Sequence, residues 1–219
     1  MQTAVIIYLC PVNQDFLINF GLFQTSPIEM TAVLFGLVSV WLVKKEVVWA
    51  FPVGAINVLI YVYICFATRL YAYAGINVFY FLMGMYGWYN WLRKTGTNDY
   101  IPITSCPLRE RLVYAGLIVL FFILIYFILV KFTNSQVPVP DGVTTAIYII
   151  AMWLMAKKKI EHWILWIIGD VISIWLFAYE KLYFSSFQYL VFTIIASLGW
   201  LEWKRKLNQR LKQETSETH

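Results

Sequence analysis

The sequence predicts an all-α polytopic membrane protein, with seven transmembrane helices arranged as two parallel three-helix repeats joined by a linker helix. Three observations predict it. Apolar residues make up 61% of the 219 and charged residues only 13%, against roughly 45–50% and 25% in a soluble domain. Apolar stretches of about 17–25 residues recur between charged or turn-forming segments, which is the length a helix needs to cross a bilayer. The chain also matches itself at an offset of 112 residues. The weak alternation of an outer-membrane barrel is absent.

Residues 1–27 read as an interfacial N-terminal segment. Val5, Ile6, Ile7, Phe16, Leu17 and Phe20 are apolar, but Pro11, Asn13, Gln14 and Asp15 break the run, which suits an amphipathic lead-in better than a span. No Lys or Arg precedes an apolar run there, so a cleaved signal peptide is not expected. The first three-helix repeat, 28–94, holds spans at about 28–43, 47–66 and 70–92, opened by the turn and cap residues Ser26-Pro27. Residues 95–136 contain the polar connector TGTNDYIPITSCPLRE and a linker helix at about 112–130. The second repeat, 137–206, holds spans at about 142–156, 161–180 and 183–203, the first of them opened by Pro140-Asp141-Gly142. Residues 207–219 form a polar C-terminal tail, expected to fray or be disordered at its end. The first and fifth spans are the short ones, and Pro52 and Gly169 are expected to interrupt the second and sixth; in transporters such features point to a site.

Orientation follows from the basic residues. With the N-terminus outside, Lys44, Lys45, Arg93, Lys94, Arg109, Arg111, the run 157–159 and five tail residues face the cytoplasm. That is 14 of the 17 basic residues, and only Arg69, Lys131 and Lys181 fall outside. The positive-inside rule therefore predicts N-out, C-in in a bacterial cytoplasmic membrane. The net charge of +5 is a topology signal; scattered over loops at one face, it excludes a nucleic-acid partner.

The repeat rests on three matches at one offset. Trp41-Leu42 recurs as Trp153-Leu154, Arg69-Leu70-Tyr71 as Lys181-Leu182-Tyr183, and Gly87-Trp88-Tyr89-Asn90-Trp91 as Gly199-Trp200-Leu201-Glu202-Trp203. A one-residue shift in the middle helix brings Asn57 opposite Asp170. Three helices per copy would invert the second copy, and the linker crossing restores it, so the copies run parallel.

The chemistry concentrates in HWILWIIGD, residues 162–170. Trp163, Trp166 and Asp170 stand at i, i+3 and i+7, on one helical face. Asp170 falls near mid-membrane, where a carboxylate costs at least about 2.5–3.5 kcal/mol and so needs a partner or a wet cavity. No Lys or Arg lies at that depth in another span. The missing counter-charge points to a cationic ligand or to a protonated Asp170, and two indoles on the same face suit the former. Asn57, Asn77, Tyr80 and Gln188 are polar groups in neighbouring spans that could converge with it, or could equally be interhelical packing bonds. Glu29, Glu180 and Glu202 sit at solvated span ends. Cys10, Cys65 and Cys106 lack pairing or metal spacing.

An enzyme is not expected. The two histidines, His162 and His219, lie at a boundary and at the terminus, and no acid pair or metal spacing stands at membrane depth. No cofactor or metal is expected either. A non-transporting membrane scaffold or sensor is the alternative class, although it has no need of an unpaired acid beneath two indoles.

W-x-x-W-x-x-x-N/D, here Trp163, Trp166 and Asp170, resembles the motif of the PnuC family of bacterial vitamin transporters. GWYNW at 87–91, Asn57 within its span and the three-plus-one-plus-three arrangement extend the resemblance over about residues 28–206. It implies uptake of a cationic B-vitamin precursor, most often nicotinamide riboside, by facilitated diffusion with trapping by a cytoplasmic kinase. It also implies a site built from the motif residues. Nicotinamide riboside members tend to carry Asn at the last motif position. Asp170 departs from that and raises thiamine, whose aminopyrimidine can donate hydrogen bonds to a carboxylate. The partners expected are a small cationic vitamin and the lipid bilayer, and a homo-oligomer is compatible with the sequence.

Overall fold

The computed structural model describes residues 18–20, 23–25, 27–67, 71–94, 100–132, 137–179, 181 and 183–217. The described residues form seven helices, α1 (Pro27–Lys44), α2 (Ala50–Ala67), α3 (Tyr71–Leu92), α4 (Leu108–Phe132), α5 (Pro138–Ala156), α6 (Glu161–Tyr179) and α7 (Tyr183–Glu217). By length and composition, α2, α4, α5, α6 and α7 can each cross a membrane. Most of the N-terminal segment, together with Cys10, Arg69, Leu70, Glu180, Leu182 and His219, lies outside the described residues. The described part of that segment is a hairpin too short to leave a periodic signal, β1 (Ile18–Phe20) against β2 (Phe23–Thr25).

Neighbouring helices close a ring in the order α1, α2, α3, α5, α6, α7 and back to α1. The linker helix α4 stands outside it against α5, with Leu129 its one buried residue among those described. Its surface is largely exposed and apolar, as suits a helix that crosses a membrane at the edge of the bundle. Within the ring, the order of neighbours is unchanged when α1, α2 and α3 are exchanged for α5, α6 and α7.

Three expectations about the helices need correction. Helix α5 starts at Pro138, not near Gly142, because first-turn residues have no intrahelical N–H bond for Pro138 and Pro140 to lose. Neither Pro52 nor Gly169 interrupts its helix: Pro52 sits in the first turn of α2, and α6 runs unbroken through Gly169. Nor are the first and fifth helices short, at 18 and 19 residues against 18 and 19 for α2 and α6. The last helix continues to Glu217, and the very end of the tail, where fraying is expected, lies outside the described residues. Residues 204–213 are good helix formers, and Lys206 anchors them through Glu46 (2.7 Å) and Glu202 (4.0 Å).

The turns that end α1 and α5 are built alike. Val47 N donates to Leu42 O and Glu46 N to Val43 O, both at 2.9 Å; Lys159 N donates to Leu154 O (2.9 Å) and Lys158 N to Met155 O (3.0 Å). Each is a Schellman cap, with Glu46 (φ 58°) and Lys158 (φ 52°) in the left-handed position where glycine is usual. Just inside them, the Trp91 indole donates to Met155 O and the Trp203 indole to Lys44 O, each at 3.1 Å. Phe51 meets Trp91 edge-on at 5.0 Å, and Trp163 meets Trp203 edge-on at 5.7 Å. Gly87 and Gly199 leave room for the rings of Phe51 and Trp163, which a Cβ at either position would strike. Every pair in this layer recurs 112 residues on, except the carbonyl acceptors, which differ by one.

Candidate functional site

All six ring helices contribute to one cavity of about 110 Å³, and α4 contributes nothing to it. The cavity reaches from Val43 and Ala50, beside the α1–α2 turn, to Asp170 halfway along α6 and Gln188 on α7. Its wall is mostly apolar, with glycines at Gly36, Gly54 and Gly84 and rings from Phe51, Trp163, Trp166 and Phe192.

Of the seven residues expected at a site, Trp163, Trp166, Asp170, Asn57, Tyr80 and Gln188 line this cavity. Asn77 stands apart. It is buried on α3 one turn beyond Tyr80, and its amide points to Cys65 Sγ at 3.9 Å. The Asn57 amide donates to Ala32 O at 2.6 Å, which ties α2 to α1. His162, buried at the head of α6, packs against Trp163 and Trp203 and has Nδ1 2.7 Å from Lys159 O. Among the described residues no group of three His, Cys, Asp or Glu could hold a metal ion.

Four buried polar atoms on the cavity wall have no hydrogen-bond partner among the described residues: Tyr80 OH, Trp163 Nε1, Asp170 Oδ2 and Gln188 Oε1. Leaving a buried donor or acceptor unsatisfied costs about 1–3 kcal/mol each. Four of the eight such atoms among the described residues belong to residues that line this one space, which suits a polar ligand. Asp170, 1% exposed, forms no ion pair with the described residues, so its carboxyl group either stays neutral or takes a counter-charge from within the cavity.

One residue of the site was missed in the sequence. Tyr148 on α5 donates from its hydroxyl to Asp170 Oδ1 at 3.0 Å, and the same hydroxyl lies 2.9 Å from Ser173 Oγ. Its ring stacks on Trp166 at 5.0 Å and lies over Gly169. In an aromatic-rich apolar span nothing distinguishes this tyrosine. The available signal was Gly169 beside Asp170, a gap that admits a ring from the next helix.

Six helices closed around a central cavity, with unpartnered polar atoms on the residues that line it, are an architecture suited to a transporter. The model of the Nicotinamide mononucleotide transporter family matches residues 26–205. The chain belongs to this family, the PnuC vitamin transporters, and is accordingly an inner-membrane protein. It is 31% identical to the nicotinamide riboside transporter PnuC of Escherichia coli (strain K12) over 218 residues, covering 88% of this chain and 91% of that one. It is 22% identical over 178 residues to the riboflavin/roseoflavin transporter RibM of Streptomyces davaonensis, covering 80% and 83%. The crystal structure of the vitamin B3 transporter PnuC superposes with a TM-score of 0.67 at 23% identity, over 83% of this chain and 82% of that one.

Proposed function

We propose that this protein takes up a cationic B-vitamin precursor, thiamine or nicotinamide riboside, through the central cavity. The observation that carries this reading is the Asp170 carboxylate: buried, without a counter-charge, one oxygen unpartnered, and on one wall with Trp163 and Trp166. A flat aromatic cation meets all three needs at once, giving charge to the carboxylate, a face to the indoles and donors to Oδ2 and Gln188. Thiamine is favoured over nicotinamide riboside, because its aminopyrimidine adds a hydrogen-bond donor for a carboxylate. Riboflavin, transported by one relative, has no positive charge to offer Asp170.

Transport is by facilitated diffusion, with phosphorylation in the cytoplasm trapping the product. Asp170 is the one acid on the cavity wall and no histidine joins it, so the wall offers no relay for a coupled proton. The two copies of the three-helix unit run parallel about an axis along the membrane normal, a reading supported by the duplicated turns and ring-on-glycine contacts. The N-terminus faces outward and the C-terminus the cytoplasm, which puts both Schellman turns on the cytoplasmic side.

The test is uptake into proteoliposomes without an imposed gradient. Labelled thiamine or nicotinamide riboside should enter until the two sides are equal and then stop. Accumulation driven by a proton or sodium gradient would contradict facilitated diffusion, and no entry of either compound would contradict the substrate class.

A further inference from the structure

We infer that Tyr148 is a positioning residue for the substrate, setting which carboxylate oxygen of Asp170 faces the cavity and at what angle Trp166 stands beside it. This rests on the reading of Asp170 as the group that meets the ligand's charge. Tyr148 is 1% exposed and does not itself line the cavity. It stands behind the wall and touches the two wall residues that matter most, through the 3.0 Å hydroxyl bond to Asp170 Oδ1 and the 5.0 Å stack on Trp166.

A carboxylate on a helix can turn about its χ2 and offer either oxygen. Here one oxygen is taken: Oδ1 accepts from the phenol, and Oδ2 is left without a partner. The phenol donates its single proton to Asp170 Oδ1. The second contact, at 2.9 Å, is then Ser173 donating to the phenol oxygen. The chain Ser173, Tyr148, Asp170 thus has one direction and one free end, which is Oδ2. Gly169 completes the arrangement, since a Cβ there would collide with the tyrosine ring.

The first half of the molecule lacks this device. The residues 112 positions before Tyr148 and Gly169 are Gly36 and Asn57, so large and small are exchanged between the helices. There the Asn57 amide occupies the space beside Gly36 and is spent on the Ala32 carbonyl. Among the described residues, a hydroxyl that orients an acid of the cavity wall stands on one side of the cavity only, which suits a single asymmetric cation.

The experiment is a double-mutant cycle on detergent-purified full-length protein, with thiamine and nicotinamide riboside as probes and thermal unfolding as the check on folding. Tyr148→Phe keeps the ring on Trp166 and Gly169 and removes only the hydroxyl. It should weaken binding about tenfold, the effect of one hydrogen bond to a charged group. In an Asp170→Asn background the same change should weaken binding less than twofold, because the effect runs through the carboxylate. If Tyr148→Phe does not fold, Ser173→Ala reaches the same phenol and should weaken binding about threefold, again only with Asp170 present. Wild-type affinity in Tyr148→Phe, when Asp170→Asn binds weakly, would overturn the positioning role and leave the site reading intact. An undiminished loss in the Asn background would overturn it as well, by showing that Tyr148 acts through packing. Wild-type affinity in Asp170→Asn itself would overturn the site reading, and the positioning role with it.

Discussion

Glu46 and Lys158 stand 112 residues apart in sequence, hold the same left-handed place in two matching turns, and meet there with Oε2 3.5 Å from Nζ. Lys158 is 6% exposed, with its ammonium also 4.7 Å from the Trp91 ring centre, while Glu46 has a second partner in Lys206 at 2.7 Å. The pair is therefore unequal. Glu46→Gln should leave a buried ammonium without its carboxylate and cost about 2–3 kcal/mol, whereas Lys158→Met should cost under about 1 kcal/mol. Chemical unfolding in detergent measures both, and equal losses would contradict the asymmetry.

The same pair predicts a pH effect. Burial holds the Lys158 ammonium below the ordinary lysine value of 10.5, against the opposing pull of Glu46. A lowered folded pKa means that the unfolded chain binds more protons between the two values, so this group's contribution to stability rises with pH up to about 10.5. Removing the Glu46 charge widens that window. The stability deficit of Glu46→Gln should therefore shrink as pH rises from 7 towards 10.

Gly199→Ala should disturb the site without touching a ligand. A Cβ there would lie 2.6 Å from Trp163 Cζ2, and the ring must move off its seat. Overpacking of this kind costs about 1–3 kcal/mol. A lower melting temperature together with weaker ligand binding is expected, and unchanged affinity would place Trp163 outside the substrate contact.

Trp166→Ala should weaken binding by about 1–2 kcal/mol if the cation stacks on a desolvated indole. Trp88, partly buried against the core but absent from the cavity wall, should lower stability more than affinity when changed to Ala. Equal loss of affinity at both positions would mean that the ligand lies elsewhere.

Much of this was legible in the sequence because membrane helices announce themselves by length and composition. α2, α3 and α6 begin and end within a few residues of their expected positions. The face shared by Trp163, Trp166 and Asp170 follows from helical spacing alone, and all three line the cavity. What composition hides is packing between helices. Asn77 and Tyr80 share a helix and similar chemistry, yet one turn separates the cavity from a contact with Cys65. Tyr148 was invisible because its role depends on α5 lying against α6 at Gly169, a relation no single segment encodes. The support that Glu46 gives Lys206 was equally hidden, because the two are distant in sequence.

The topology is tested by fusion. A reporter placed after Lys206 should be active only if its fold forms in the cytoplasm, and activity of a periplasm-dependent reporter there would reverse the assignment.

The most direct measurement is a pair of binding isotherms, thiamine and nicotinamide riboside, for the wild type and for Asp170→Asn. The amide is nearly isosteric and cheaper to bury, so the variant should fold. Thiamine should lose at least about tenfold in affinity, the effect of one charge-assisted contact, and nicotinamide riboside should lose less. Unchanged affinity for both compounds would show that Asp170 does not meet the substrate, and would contradict the account of the cavity.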